Sequence, residues 1–197
     1  MKKTLLCVVF LLVTVSAHAR GAVSYGSTGN VNLMIGQKSM NSSDWGSLDN
    51  QGELGVLFDY REGNWPVSLA VDFFGSSDSK DWGYGGTHKA STTELCVGVK
   101  KIWDFRGSPV KPFIGGGLAY ITGEDKLSGY DYNNYYYSDS LNDSAFGFWI
   151  SGGVYFTLSQ HFNLGVIARM SRAKINLGGD NVEAGGEHIG LLLGYHW

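Results

Sequence analysis

Cysteine is almost absent from this 197-residue chain: there are two, Cys7 and Cys96, and only three prolines. Cys7 falls in an N-terminal leader, so the mature chain keeps Cys96 alone and cannot form an intramolecular disulfide in any compartment. Charge is sparse as well, at 17% of residues, which excludes a charge-rich disordered chain. The 29 glycines follow no G-X-Y period, which excludes collagen. No apolar run beyond the leader reaches the length of about 18 residues that a transmembrane helix needs, so any membrane crossing has to use strands. The 15 basic residues face 18 acidic ones, and loss of Lys2 and Lys3 with the leader leaves 13 against 18, a balance of −5 with His neutral. That sign argues against a nucleic-acid partner.

Residues 1–19 have the organisation of a cleaved secretory signal: Lys2 and Lys3, an apolar stretch over 5–15, and Ala17-His18-Ala19 ahead of Arg20. The stretch is too short for a membrane anchor, which needs about 20 apolar residues. Cys7 lies in its middle, too early for a lipoprotein cysteine. Residues 20–197 are then expected to form one exported domain.

Alternation is the dominant signal in that domain. Ile189, Leu191, Leu193, Tyr195 and Trp197 fall on one parity, with Gly190, Gly194 and His196 on the other. Seven more segments repeat the pattern: Val31 to Ile35, Leu54 to Tyr60, Val67 to Phe73, Leu95 to Trp103, Ile114 to Tyr120, Phe146 to Phe156, and Leu164 to Met170. With their flanking residues, these segments fit the span of a tilted membrane strand, about 9–11 residues. Connections alternate between tight turns at 61–64, 104–108 and 158–161 and long polar loops at 40–51, 76–91, 122–144 and 178–186. That asymmetry is expected of outer membrane barrels, whose turns are periplasmic and whose loops are external.

A soluble β-sandwich or lipocalin-like barrel would share the alternation. The composition of the second face separates the two. It carries Lys38, Glu53, Asp59, Asp72, Glu94, Lys100 and Arg169 among Gly, Ser and Asn, which cannot make a hydrocarbon core but can pair across a narrow lumen. The apolar face then points to lipid, and a sheet in lipid has to close, because unpaired backbone groups cost several kcal/mol there. The predicted fold is all-β, an eight-stranded antiparallel transmembrane β-barrel. Tyr60, Trp65, Trp103, Tyr195 and Trp197 at the turn end, and Phe73, Tyr120 and Phe146 at the loop end, would form its aromatic girdles. Trp149 falls on the inward face, and Lys101 on the outward face with a stem able to reach headgroups.

With this leader, eight amphipathic segments, the strand start Lys111-Pro112-Phe113-Ile114-Gly115-Gly116-Gly117 and the terminal Gly194-Tyr195-His196-Trp197, the chain resembles the small OmpA/OmpX-type outer membrane β-barrel family over the whole mature length. The resemblance implies residence in the outer membrane of a Gram-negative bacterium. It also implies that Ile189, Leu191, Leu193, Tyr195 and Trp197 form the signal read by the outer membrane assembly machinery. Lipids of that membrane, lipopolysaccharide included, would be the surrounding partners of a monomer. Full-length OmpA proteins carry a peptidoglycan-binding domain after their barrel; none is expected here beyond the last segment, so a wall-tethering role is not expected.

A structural or surface-interaction role is the expected function, with a narrow channel and then a lipid A hydrolase as alternatives. An interior of this width is filled by side chains, so the seven inward charges are expected to pair as a lumen network rather than to line an open pore. Hydrolysis would need a base beside a serine. The resemblance to lipid A deacylases stops at Ser171, because the position two residues before it, a His in those enzymes, is Arg169; His188 is read as lining the lumen mouth. The histidines have no metal-ligand spacing, and neither metal nor cofactor is expected. Gly115-Gly116-Gly117 precedes no helix and is not a phosphate loop. The loop 122–144 holds Tyr130, Tyr132, Tyr135, Tyr136 and Tyr137 among Asn, Asp and Ser, a composition suited to an adaptable recognition surface for an extracellular ligand.

Overall fold

The structure, a computed structural model, describes residues 26–82, 85–130, 135–159 and 161–197; the leader and Tyr132 lie outside them. Strands β1 (Thr28–Ser39), β2 (Asn50–Arg61), β3 (Ser68–Trp82), β4 (Gly86–Ile102), β5 (Val110–Tyr130), β6 (Tyr136–Thr157) and β7 (Phe162–Arg172) pair in succession. A separate ribbon of β8 (Lys174–Leu177) and β9 (Asp180–Glu183) follows, and β10 (Gly186–His196) returns to pair with both β7 and β1. The result is a closed antiparallel barrel of eight strands.

Closure is set by the β1–β10 register, Leu33 opposite Leu193 and Lys38 opposite His188. The seam runs on past β10, since Gly29 N–H donates to the Trp197 carbonyl at 3.2 Å and Trp197 N–H to Gly29 at 3.1 Å. The indole of Trp197 lies over Gly29, where a Cβ would come within 2.3 Å of the ring. Only glycine leaves that space.

Alternation decides the two faces. Leu33, Leu118, Phe146 and Ile189 are 61%, 68%, 79% and 66% exposed on the outside, while Asn32, Met34, Ala119 and His188 beside them in the strands are buried inside. Two apolar layers fill the interior. Near the turn end, Met34, Leu57, Phe74, Phe113, Tyr155, Ile167 and Leu192 pack together, with Phe113 and Tyr155 stacked at 4.5 Å between centroids. Toward the loop end, Ile121 and Trp149 meet residues folded down from the loops: Trp45, Leu48, Ile175 and Ala184.

The loops differ from expectation in an instructive way. Residues 76–91 and 122–144 are mostly ladder, because β3, β4, β5 and β6 run to 15, 17, 21 and 22 residues and form a four-stranded sheet beyond the barrel. Alternation continues there among Ser, Thr, Asp and Lys, where hydropathy gives no signal, and backbone pairing persists to Thr87 opposite Ser128 and Tyr130 opposite Tyr136. Within 178–186, the β8–β9 ribbon turns at Gly178 and Gly179, both at positive φ. Within 40–51, one helical turn, α1 (Ser42–Trp45), is capped by the Asn41 side chain, which accepts from Ser43 N–H. It turns Trp45 inward, and the indole N–H donates to the Glu183 carbonyl at 2.8 Å. Gly123 seats this plug, since a Cβ there would meet Ile175 Cδ1 at 2.5 Å.

Trp149 is buried inside the barrel as its parity predicts. Lys101 Nζ donates to the Pro66 carbonyl at 2.7 Å.

Candidate functional site

Every one of the seven inward charges is buried, and the structure sorts them into two clusters. Beneath the loop plug, Glu94 accepts from Lys38 Nζ at 2.7 Å through Oε1 and from Arg169 Nη2 at 2.7 Å through Oε2. Lys38 also donates to Thr92 at 2.7 Å and to the Ala184 carbonyl at 2.8 Å, tying the wall to the plug. The Arg169 guanidinium stacks over Phe74 at 4.2 Å and faces Trp149 at 5.7 Å; ring faces thus take the place of acceptors for its Nε and Nη1, which have none. Nearer the turn end, Lys100 lies between Asp59 at 3.6 Å and Asp72 at 3.8 Å, beyond hydrogen-bond reach of either.

Glu53 pairs with neither lysine nor arginine. Its partner is His188, whose Nδ1 approaches Oε1 at 2.8 Å while Nε2 lies 3.0 Å from Ser171 Oγ. His188 is therefore deep in the lumen, not at its mouth. Parity alone places it inward; what sequence does not supply is the stagger that brings β10 opposite β2.

Glu53, His188 and Ser171 have the connectivity of a hydrolase triad, but the serine is also held by a second carboxylate, since Ser171 Oγ donates to Glu94 Oε1 at 3.0 Å. All three residues are buried. Among the described residues, no group of three or more His, Cys, Asp or Glu could hold a metal ion.

A cavity of about 80 Å³ opens at the turn end, lined by Asn30, Asp59, Arg61, Ser68, Tyr155 and Asn163 among others. Asp59 Oδ2, the Tyr155 hydroxyl and Asn163 Oδ1 form no hydrogen bond within the protein. The space suffices for several waters, which would satisfy them.

At the opposite end, the tyrosines cluster at the tip of the projecting sheet. Tyr130 and Tyr136 meet edge to face at 5.6 Å, and Tyr130, Tyr135 and Tyr136 are 50%, 73% and 63% exposed, with Tyr137 half-buried. The five residues from Ile189 to Trp197 assigned to the assembly signal lie on or just beyond the outer face of β10, at the seam with β1.

Among the described residues the middle of the outer wall is largely leucine, isoleucine, valine and phenylalanine around a polar, filled axis, the arrangement for lipid outside and side chains inside. Solved structures share this architecture. The fold is that of the small eight-stranded outer membrane barrels. A major outer membrane protein from Thermus thermophilus superposes with TM-score 0.60 at 12% identity, covering 88% of this chain and 100% of that one. Neisserial surface protein A matches with TM-score 0.55 at 17% identity over 86% and 95% of the two chains. Ail, the attachment invasion locus protein of Yersinia pestis, solved with the heparin analogue sucrose octasulfate, matches with TM-score 0.55 at 12% identity over 87% and 97%. No protein-family model and no curated protein sequence matches this barrel.

Proposed function

We propose that the chain is an integral barrel of the outer membrane, exported behind residues 1–19 and inserted by the assembly machinery through Ile189, Leu191, Leu193, Tyr195 and Trp197. It acts as a monomer whose projecting sheet recognises a ligand at the cell surface. The observation that carries this reading is the extension of β3 to β6 beyond the lipid-facing wall, ending in exposed tyrosines. A scaffold needing only to span the bilayer has no use for it. The outer face of that sheet carries Lys89 directly opposite Lys126, flanked by Ser79 and Ser140. Like charges in register repel unless an anionic group bridges them. A polyanionic or hydroxyl-rich surface ligand suits that arrangement, and a fold relative solved with a heparin analogue supports the choice of probe.

The test is whole-cell adhesion together with sucrose octasulfate binding by the purified protein. Excising residues 130–137 should abolish adhesion, and K89A/K126A should weaken octasulfate binding about tenfold. Adhesion that survives the excision removes the tyrosine tip from the reading. The narrow-channel alternative draws on the water-accessible cavity at the turn end; reproducible conductance steps in planar bilayers would favour it over a plugged lumen. Lipid A hydrolysis would show as a changed acylation pattern in cells carrying the protein.

A further inference from the structure

Two cavities meet on the outer wall where β6, β7, β10 and β1 adjoin. The upper, about 600 Å³, lies at the loop rim and is lined by Asp44, Arg172, Lys174, Glu183 and Glu187 among other polar groups. The lower, about 580 Å³, is a groove in the lipid-facing surface lined by Ile114, Ile150, Gly152, Ala168, Met170 and Ile189. Ser39 and Glu187 belong to both, so the two are continuous.

The ladder explains the groove. Gly152 is opposite Ala168 and Ala168 opposite Ile189, while one row nearer the rim Ile150 is opposite Met170 and Met170 opposite Glu187. Two side chains too short to fill the wall thus form a floor between larger ones. Gly152 has open space above it, since a Cβ there would meet nothing nearer than the Phe113 carbonyl at 3.7 Å.

The charges above the groove are unevenly committed. Asp44 Oδ2 accepts from Glu183 N–H at 2.9 Å, and Glu183 Oε1 accepts from Ala173 N–H at 2.6 Å. Arg172 spends one N–H on the Ser171 carbonyl at 3.1 Å. The Lys174 and Glu187 side chains form no hydrogen bond or ion pair among the described residues. What the rim offers a ligand is therefore two cations and one free carboxylate, set directly over an apolar trough.

We propose that this is a binding site for one phosphorylated glycolipid of the outer leaflet. Its phosphate faces Arg172 and Lys174, a sugar hydroxyl donates to Glu187, and one acyl chain lies over Gly152 and Ala168. The inference rests on the membrane reading above and adds a specific lipid subsite to it. Charge complementarity selects an anionic headgroup; the free carboxylate selects one that also carries hydroxyl donors, and the trough requires a chain.

Native mass spectrometry of the full barrel in detergent, titrated with bisphosphorylated lipid A, tests it. The wild type should hold one lipid A. R172A/K174A should weaken binding about tenfold, and fully dephosphorylated lipid A should bind the wild type as weakly. A168L, which fills the trough without touching charge, should weaken binding as well, whereas L191A on the same wall should not. The charge variant lies at the rim, so its result stands even if A168L fails to fold, as judged by circular dichroism. Equal retention by wild type and R172A/K174A, or equal binding of the dephosphorylated lipid or of phosphatidylethanolamine, overturns the site. A chain that is soluble and compact without detergent overturns the membrane reading instead.

Discussion

The two charged clusters of the lumen use the same chemistry at different distances. Around Glu94, every principal contact is a direct hydrogen bond of 2.7–3.0 Å, sealed above by Trp45 and Leu48. Around Lys100, nothing anionic comes closer than 3.6 Å, and the adjoining cavity reaches Asp59. Desolvated charges need complete hydrogen bonding, because each unmet group costs free energy in a low dielectric. The first cluster therefore works as a cross-brace between β1, β4, β7 and β10, whereas in the second only Asp59 reaches the cavity and the ions face one another without direct hydrogen bonds.

That difference predicts unequal responses to equivalent substitutions, measured by denaturant unfolding in detergent micelles. Glu94→Gln leaves Lys38 and Arg169 uncompensated and should cost about 3–5 kcal/mol. His188→Leu strands the Glu53 carboxylate and should cost about 2–3 kcal/mol, while Glu53→Leu with His188→Leu should recover most of that loss, since removing both partners is far less costly than removing one. Asp72→Asn, which breaks no direct hydrogen bond to Lys100, should cost only about 1–2 kcal/mol. If Asp72→Asn matches Glu94→Gln, the contrast between the hydrogen-bonded brace and the looser cluster is wrong.

The smallest effect expected is outside the bilayer. Asp143 accepts from Asn176 N–H at 2.7 Å, holding the β8–β9 ribbon to β6, and this bond with one from Ser144 N–H lowers its pKa below the ordinary value of 3.8. A lowered carboxylate pKa stabilises the contact above the ordinary value and gives that stability up as pH falls through the lowered one. The protection factor of the Asn176 amide, its exchange rate corrected for the intrinsic pH dependence, should stay high at neutral pH and fall only in acid; Asp143→Ala should lower it throughout.

Face assignment was legible in the sequence because a period of two fixes which side chains share a lumen, and parity alone sent all seven charges, Trp149 and His188 inward. Partner choice was not. Whether Glu53 meets Lys38 or His188 depends on how far β10 is displaced along β1 and β2, a quantity alternation does not encode. The plug was hidden for another reason: Trp45 and Leu48 sit in a polar segment, and one helical turn is too short to show periodicity. The projecting sheet escaped because Ser and Thr on both faces leave no hydropathy contrast.

The unequal strands also act as a ruler. β1 has 12 residues and β5 has 21, and at about 3.3 Å per residue with a tilt near 40°, one side of the molecule stands about 20 Å taller than the other. Inserting residue pairs into both arms of the β5–β6 hairpin would raise its tip in steps of about 5 Å without exchanging inner and outer faces. A single inserted residue would invert every face beyond it. Reach above the surrounding sugars can therefore be adjusted only in even increments.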